Sequence, residues 1–519
     1  MLAQVPNKFD FKELFTFEMA NNHQGSMEHG ARIIQEIATV AKEMHVRGAI
    51  KIQLRDLDTF IHPSYTNRKD IKHIPRFLDT RLTTEQFKEL LNTAKKLGLL
   101  AMATPFDERS VKVAVDLGVD IIKVASCSAH DWPLLEEIAS TGKPVIVSTG
   151  GLLLHDVDKI VSFFEHRGIN FALMHCVAQY HTPIDELHLD NIPKLKARYP
   201  HIIIGFSTHE DPNNTTAIGL AYARGARIFE KHVGVATDTI KLNAYSATPK
   251  QVKKWLQAYQ EAVAAIGENK ERMIADVERA DLDSLMRGVF VSEDILAGSV
   301  IDRSQVYFAM PLQPGQLTSG SFKKGLIADR DYKKDTAISA VVAPKHRTKK
   351  DVVYSAIHIA KGMLNEAKIP LSHDFKVELS HHYGLGQFHT TGCMIIDCIN
   401  REYAKKLIIQ FPGQMNPTHY HKAKDETFHV LSGELIAEIE GKTRLLTPGD
   451  TLWVPRGVWH SFWTETGVIV EEVSTTAMET QGDSFYIDRR IANIPREDRK
   501  TKLMNWGRHQ FDDADEVIA

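Results

Sequence analysis

Residues 201–235 read HIIIGFSTHEDPNNTTAIGLAYARGARIFEKHVGV. Two apolar runs, IIIGF and RIF, each lead into a polar tip, STHED and EKHVG, and the intervening TTAIGLAYARGA has helical spacing. The pattern predicts strand, helix, strand, with a histidine at the C-terminal end of each strand. Consecutive parallel strands in a barrel are neighbours, so His209 and His232 should face each other across one or two strand spacings of about 5 Å. Two imidazoles so placed make half of a divalent-metal site. Two unrelated loop histidines are the alternative reading.

Working outward, short apolar or β-branched runs recur from the N-terminus to about residue 235. They are LFTFEMA, AIKIQL, LLAMATPF, IIKVAS, PVIVSTG, FALMHCV, IIIGFSTH and RIFEKHVGV, separated by helical patterns such as HGARIIQEIATVAKEM and TTEQFKELLNTAKKLG. Eight alternating βα units predict an α/β fold, a (β/α)8 TIM barrel, and no GxGxxG follows the first strand to suggest an open doubly wound sheet. The strand tips are polar. They carry Glu18 with Asn22 and His23, Lys51 with Gln53, Thr104 and Asp107, Lys123 with Ser126, Ser148 with Thr149, His175, Ser207 with His209, and Glu230 with Lys231 and His232. Lysines inside the strands IKIQ and IKVAS need a reason, because an unpaired buried ammonium costs several kcal/mol. Glu18 could neutralise Lys51 and Lys123. Alternatively they face a small, multiply charged anion, together with hydroxyls and the backbone N–H groups of STGG.

The segments FEMANNHQGS, IKIQ, ATPFD, IIKVAS, STGG, MHCVAQYHTP, GFSTH and FEKHVG stand in the order found in the sialic acid synthase family, which the chain resembles across the whole barrel. The resemblance implies condensation of phosphoenolpyruvate with a sugar acceptor to give a 2-oxo-3-deoxy sugar acid and phosphate. It implies that Lys51, Lys123, Ser126, Ser148 and Ser207 hold phosphoenolpyruvate, with Thr149 a further substrate-binding residue. It further implies that His209 and His232 bind a divalent metal, typically manganese, that Glu18 acts in proton transfer, and that Tyr180 lines the sugar side. The departures from the family pattern lie on that sugar side. Ala178 and Gln179 precede Tyr180 where the family has an asparagine, and Lys241-Leu242-Asn243-Ala244-Tyr245-Ser246 replaces a usual Asp-His pair. These changes imply an acceptor other than an N-acetylmannosamine-like one.

The amphipathic stretch 248–267 should close the barrel, giving a first domain over residues 1–268, and the charged stretch ENKERMIADVERADLDS should act as a linker. Residues 281–342 contain short strand patterns and resemble the small antifreeze-like (SAF) domain that follows the barrel in the same family, which implies a homodimer. The arginine that normally precedes a proline there is Met310, before Pro311. Beyond the basic connector 341–352, GQMNPTHYHKAKDETFHVLSG (413–433) and GDTLWVPRGVWH (449–460) form a second metal constellation. His419 and His421 share a strand face, Glu426 lies on the next strand, and His460 lies on a later hairpin. Three imidazoles and a carboxylate suit Mn, Zn, Fe, Ni or Co. The paired motifs are those of a cupin β-barrel, expected over 350–519, and the stretch resembles D-lyxose-type sugar isomerases. Lys424 is then a candidate proton relay or substrate contact, or else a solvated loop lysine. A cupin that only binds a sugar and regulates the barrel, or a non-catalytic structural subunit, remains an alternative.

Composition is that of an ordinary globular chain, with 43% apolar and 25% charged residues and a net charge of −3, which argues against a nucleic-acid partner. Four cysteines without a CxxC pair do not form a disulfide framework. No signal-type N-terminus and no run of roughly 18 apolar residues is present, so the expectation is a cytoplasmic protein without a membrane partner.

Overall fold

The computed structural model describes residues 9–207, 209–267, 272–342, 348–371, 373, 375–475, 482–508 and 510–511. The chain divides into two compact units, residues 1–271 and 272–519. Among the described residues no helix is long and apolar enough to cross a membrane.

The first unit is a closed parallel barrel of eight strands in sequence order. They are β1 (Leu14–Glu18), β2 (Arg47–Leu54), β3 (Leu100–Pro105), β4 (Ile121–Val124), β5 (Val145–Ser148), β6 (Phe171–Cys176), β7 (Ile204–Ser207) and β8 (Ile228–His232). Side chains alternate across each strand, so residues two apart share a face. Ala49, Ile121, Ile146 and Ile228 form part of one buried apolar layer inside the barrel. Each stands two residues before a polar tip: Lys51, Lys123, Ser148 and Glu230. The apolar layer is therefore a floor, and the polar residues stand on it at the C-terminal mouth. Gly205 belongs to this packing, because a Cβ there would lie 2.2 Å from Met174 Sδ and 2.8 Å from Ile228 Cβ. The helix Pro249–Ile266 matches the predicted closing helix. It starts at a Thr248/Gln251 capping box and buries Trp255 against Phe15.

The charged stretch expected as a linker contains the helix Asp276–Leu285, with acidic residues in its first turn, where they suit the helix dipole. Next, β9 (Gly288–Val291) pairs antiparallel with β10 (Val306–Ala309) over a small core that includes Val289, Ile301, Leu317 and Ile338. The helix Lys349–Glu366, capped by Thr348 and Asp351, begins within the stretch expected as a basic connector, whose residues 343–347 lie outside the described ones.

Two antiparallel sheets follow. Their first strands are β11 (Lys376–Ser380), β12 (Cys393–Asn400), β13 (Tyr403–Gln410), β14 (Met415–His421), β15 (Glu426–Gly433) and β16 (Leu435–Ile439). The remainder are β17 (Lys442–Leu446), β18 (Thr451–Val454), β19 (His460–Trp463), β20 (Val468–Thr475), β21 (Ser484–Tyr486) and β22 (Lys500–Leu503). One sheet has the order β18-β15-β20-β13-β12-β11-β22, the other β17-β16-β19-β14-β21. This is a double-sheet cupin architecture.

Candidate active site and metal centre

At the barrel mouth, register sets the charges against each other. Glu18 of β1 is level with Lys51 of β2 and with His232 of β8. Lys51 Nζ lies 2.7 Å from Glu18 Oε2 and 2.6 Å from Glu230 Oε1. Lys123 Nζ lies 3.6 Å from Glu230 Oε2 and donates to Ser148 Oγ. All four charged groups are buried. Burial pulls the Lys51 ammonium down, but Glu18 and Glu230 outweigh it and raise its pKa. Lys123 has its carboxylate at longer range and Lys51 as a like-charged neighbour, and burial leaves it lowered. Burial also pushes Glu230 up, yet Lys123 and Lys51 hold its carboxyl well below the ordinary value.

The two histidine rings lie 5.2 Å apart, centroid to centroid. His209 Nδ1 is 3.2 Å from the Val177 carbonyl, which assigns its proton to Nδ1 and leaves Nε2 with a lone pair. His232 Nδ1 is buried with no hydrogen-bond partner. Burial lowers both histidines, His232 the more, so both imidazoles are neutral at pH 7. Two neutral rings at this spacing, one with an orphaned buried nitrogen, fit a divalent cation. Tyr180 stands 4.2 Å from the His209 ring, and Tyr245 stands 5.5 Å from His209 and 5.0 Å from His232. Asn243 accepts from the backbone N–H groups of Tyr245 and Ser246 at 3.2 and 2.9 Å. The stretch that replaces the Asp-His pair is thus an Asx-type turn that presents Tyr245 to the histidines.

In the second unit, ligand atoms of His419, His421 and His460 all lie within 4.8 Å of one another. His419 and His421 come from β14 and His460 from its neighbour β19, with His419 and His460 directly paired. Nδ1 of His419 is 2.8 Å from the Pro417 carbonyl, and Nδ1 of His460 is 3.0 Å from the Val458 carbonyl. Backbone carbonyls therefore fix both rings with Nε2 facing inward. Glu426, from β15 of the other sheet, places Oε1 at 3.3 Å from His421 Nε2 and Oε2 at 3.3 Å from His460 Nε2. Glu426 Oε2 and His460 Nε2 are buried without hydrogen-bond partners. These orphaned atoms fit a cation held by three imidazoles and one carboxylate. Lys424 is buried, not a solvated loop lysine. Its ammonium bridges Glu426 Oε1 and Glu472 Oε1, at 2.5 Å from each. Burial opposes its charge, but the two carboxylates raise its pKa.

Comparison with known proteins bears on both halves. A profile described as the NeuB family matches residues 37–271. The barrel belongs to the NeuB family. A cupin-domain profile matches residues 407–475 of the second unit. A crystal structure from Chromobacterium violaceum ATCC 12472, assigned to spore coat polysaccharide biosynthesis protein E, is 45% identical. It aligns at a TM-score of 0.60 over 64% of this chain and 99% of that one. The N-acetylneuraminate-9-phosphate synthase of Drosophila melanogaster is 26% identical over 338 residues, 59% of this chain and 88% of that protein. The N,N'-diacetyllegionaminic acid synthase of Campylobacter jejuni is 22% identical over 337 residues, 63% of this chain and 99% of that protein.

In this NeuB-family barrel the sequence-predicted residues Glu18, Lys51, Lys123, Ser148, Ser207 and His209 converge on the mouth as buried groups, with His232 half-buried beside them. Ser126 Oγ accepts from Gly150 N at 3.0 Å, which ties the strand-four and strand-five tips together. The Thr149 hydroxyl donates to the Met174 carbonyl at 3.0 Å, which joins β5 to β6. Sequence reasoning missed Glu230 and Glu472 as site residues. For Glu230 a signal existed, since it shares inward parity with His232 two residues on. For Glu472 none did, because the cross-strand partner of Lys424 depends on the strand order.

Proposed function

We propose that the barrel joins C3 of phosphoenolpyruvate to the aldehyde carbon of a sugar acceptor, releasing phosphate and a 2-oxo-3-deoxy sugar acid. The observation that carries this reading is the pair of buried lysines, Lys51 and Lys123, beside the His209–His232 pair at one barrel mouth. Lys51, Lys123 and Ser148 receive the phosphate and carboxylate of phosphoenolpyruvate in a buried site, where charge-assisted hydrogen bonds are strong. When bound at His209 and His232, a divalent cation such as manganese would polarise the acceptor aldehyde. C3 attacks the aldehyde carbon, and the aldehyde oxygen takes up a proton. Water adds at C2, with Glu18 positioned to receive its proton, and the C–O bond to phosphate breaks. Tyr180 and Tyr245 form the acceptor wall. The test is phosphate release from phosphoenolpyruvate with manganese and a panel of aldoses and amino sugars, followed by mass spectrometry of the products. Release with at least one acceptor, lost in His209→Ala, is expected. Release from none would overturn the reading.

A second reading concerns the cupin, and Lys424 between Glu426 and Glu472 favours it. Its Nζ, 2.5 Å from a proposed metal ligand, supports reading Lys424 as a proton relay or a substrate contact. The cupin is accordingly read as an aldose–ketose isomerase, with a regulatory sugar-binding module as the other outcome. Deuterium wash-in at C2 of aldoses, using the full chain with manganese or cobalt and His460→Ala as control, decides between them. Residues 281–342 are read as an antifreeze-like domain that joins two copies of a cytoplasmic enzyme. Sedimentation of the full chain as a monomer would contradict that part.

A further inference from the structure

Lys51, Gln53 and Arg55 are spaced two apart at the end of β2, so they rise along one face from the floor of the mouth to its rim. A chain of contacts follows that face. Glu18 Oε2 accepts from Gln53 Nε2 at 3.4 Å, and Gln53 Oε1 accepts from Arg55 Nη1 at 3.1 Å. The Arg55 guanidinium is caged by aromatic rings, 3.6 Å from the Phe106 centroid, 4.1 Å from Phe77 and 5.9 Å from Phe60. Rings cover the faces of a guanidinium and leave its N–H edge free to donate.

Among the described residues no carboxylate pairs with that edge. Arg55 Nε is buried without a hydrogen-bond partner. The neighbouring acids are engaged elsewhere. Asp107 accepts from Ser110 N, Ser110 Oγ and Asp56 N, each within 2.9 Å, and Asp56 pairs with Arg109 at 2.8 Å. The side chain as a whole is half-buried, and its buried Nε–H costs stability unless an acceptor completes it. Burial pulls the Arg55 guanidinium down to about 10, which leaves it charged at neutral pH.

Building on the condensation reading, we propose that Arg55 binds an anionic substituent, a phosphate or a carboxylate, on the end of the acceptor sugar remote from its aldehyde. The condensation reading puts the aldehyde at the histidine pair and phosphoenolpyruvate at the two lysines, and it assigns an anion at the rim to the far end of the acceptor. The planar donor edge suits two oxygens of either group.

The test uses the full chain with phosphoenolpyruvate and manganese and three acceptors: D-mannose, D-mannose 6-phosphate and D-mannuronate. Acceptor KM is read by phosphate release, and acceptor affinity separately by calorimetry. The expected result is at least about a tenfold preference for one anionic sugar over the neutral one, and the phosphate and carboxylate arms identify which anion. Arg55→Met should abolish that preference and leave KM for phosphoenolpyruvate and for D-mannose within about twofold. Arg55→Lys, which keeps the charge but not the fork, should retain part of it. Equal binding of all three sugars overturns the proposal. So does an Arg55→Met that weakens neutral and charged sugars alike, which would mark a packing role. An Arg55-dependent preference in calorimetry without turnover would uphold the anion site and sink the condensation reading instead.

Discussion

Glu230→Gln is the sharpest probe of the barrel mouth, because it removes one charge and almost no volume. Glu230 faces Lys51 at 2.6 Å and Lys123 at 3.6 Å. At an effective dielectric of about 20 these distances correspond to gross attractions of about 6 and about 5 kcal/mol. The substitution also removes the desolvation cost of a buried carboxylate, so the net loss is smaller. Breaking a buried pair by neutralising one partner costs about 3–5 kcal/mol. Lys51 keeps Glu18 at 2.7 Å, and Lys123 bears most of the loss. Hydrogen exchange of peptides spanning Ile121–Val124 and Ile228–His232 reads the barrel alone, and their opening free energy should fall by about 3–5 kcal/mol. Phosphoenolpyruvate supplies negative charge at the same place, so it should restore protection more in the variant than in the wild type. The wild-type contribution also has a pH signature. Glu230 is held below its ordinary value of 4.5, so its stabilisation is present above that pH and is lost as pH falls below it. Glu230→Gln should flatten that fall. A loss under about 1 kcal/mol with an unchanged acid limb would refute the charge-balance argument.

Three further outcomes are expected. Gly205→Ala should destabilise the barrel by about 1–3 kcal/mol or more, since its Cβ would meet Met174 Sδ at 2.2 Å, and an unchanged exchange profile would contradict the packed floor. Burial first, then His29, lowers His23 from 6.5 to about 4, so its stabilisation is full above pH 6.5 and is lost as pH falls toward 4, by about 3 kcal/mol. His23→Asn, which keeps an acceptor for Gly25 N–H, should remove that slope in urea unfolding between pH 7 and pH 4, and persistence of the slope would assign it elsewhere. Lys424→Met should lower the metal-free stability of the cupin and tighten divalent-metal retention, measured by equilibrium dialysis, because Glu426 and Glu472 lose the cation between them.

The barrel was legible because each parallel strand, covered on both sides, is an apolar run that ends in polar residues. His209 and His232 were legible as a pair because sequence neighbours are barrel neighbours. Glu230 was less so, since its meaning depends on register around the whole ring, where β8 closes on β1 and faces Lys51 and Lys123. In the cupin, His419 and His421 could be paired from their spacing alone. The burial of Lys424 could not, because Glu472 reaches it from β20, far along the chain. The stretch 268–284 has the composition of a linker, yet Asp276 and Glu278 stand in the first turn of the helix Asp276–Leu285.

Position along the strands separates two tasks in the barrel. Lys51, Lys123 and Glu230 stand on strands over an apolar floor, where a substitution disturbs a closed set of charges and is costly. Tyr180, Tyr245 and Arg55 lie beyond the strand ends, in segments whose backbone can be re-shaped by a turn such as the one at Asn243. A change of acceptor therefore needs only changes at the rim, and the departures at Ala178, Leu242 and Asn243 all fall there. The same division predicts the kinetic form of rim variants. They should change acceptor KM without changing phosphoenolpyruvate KM, whereas variants of the floor set should change both.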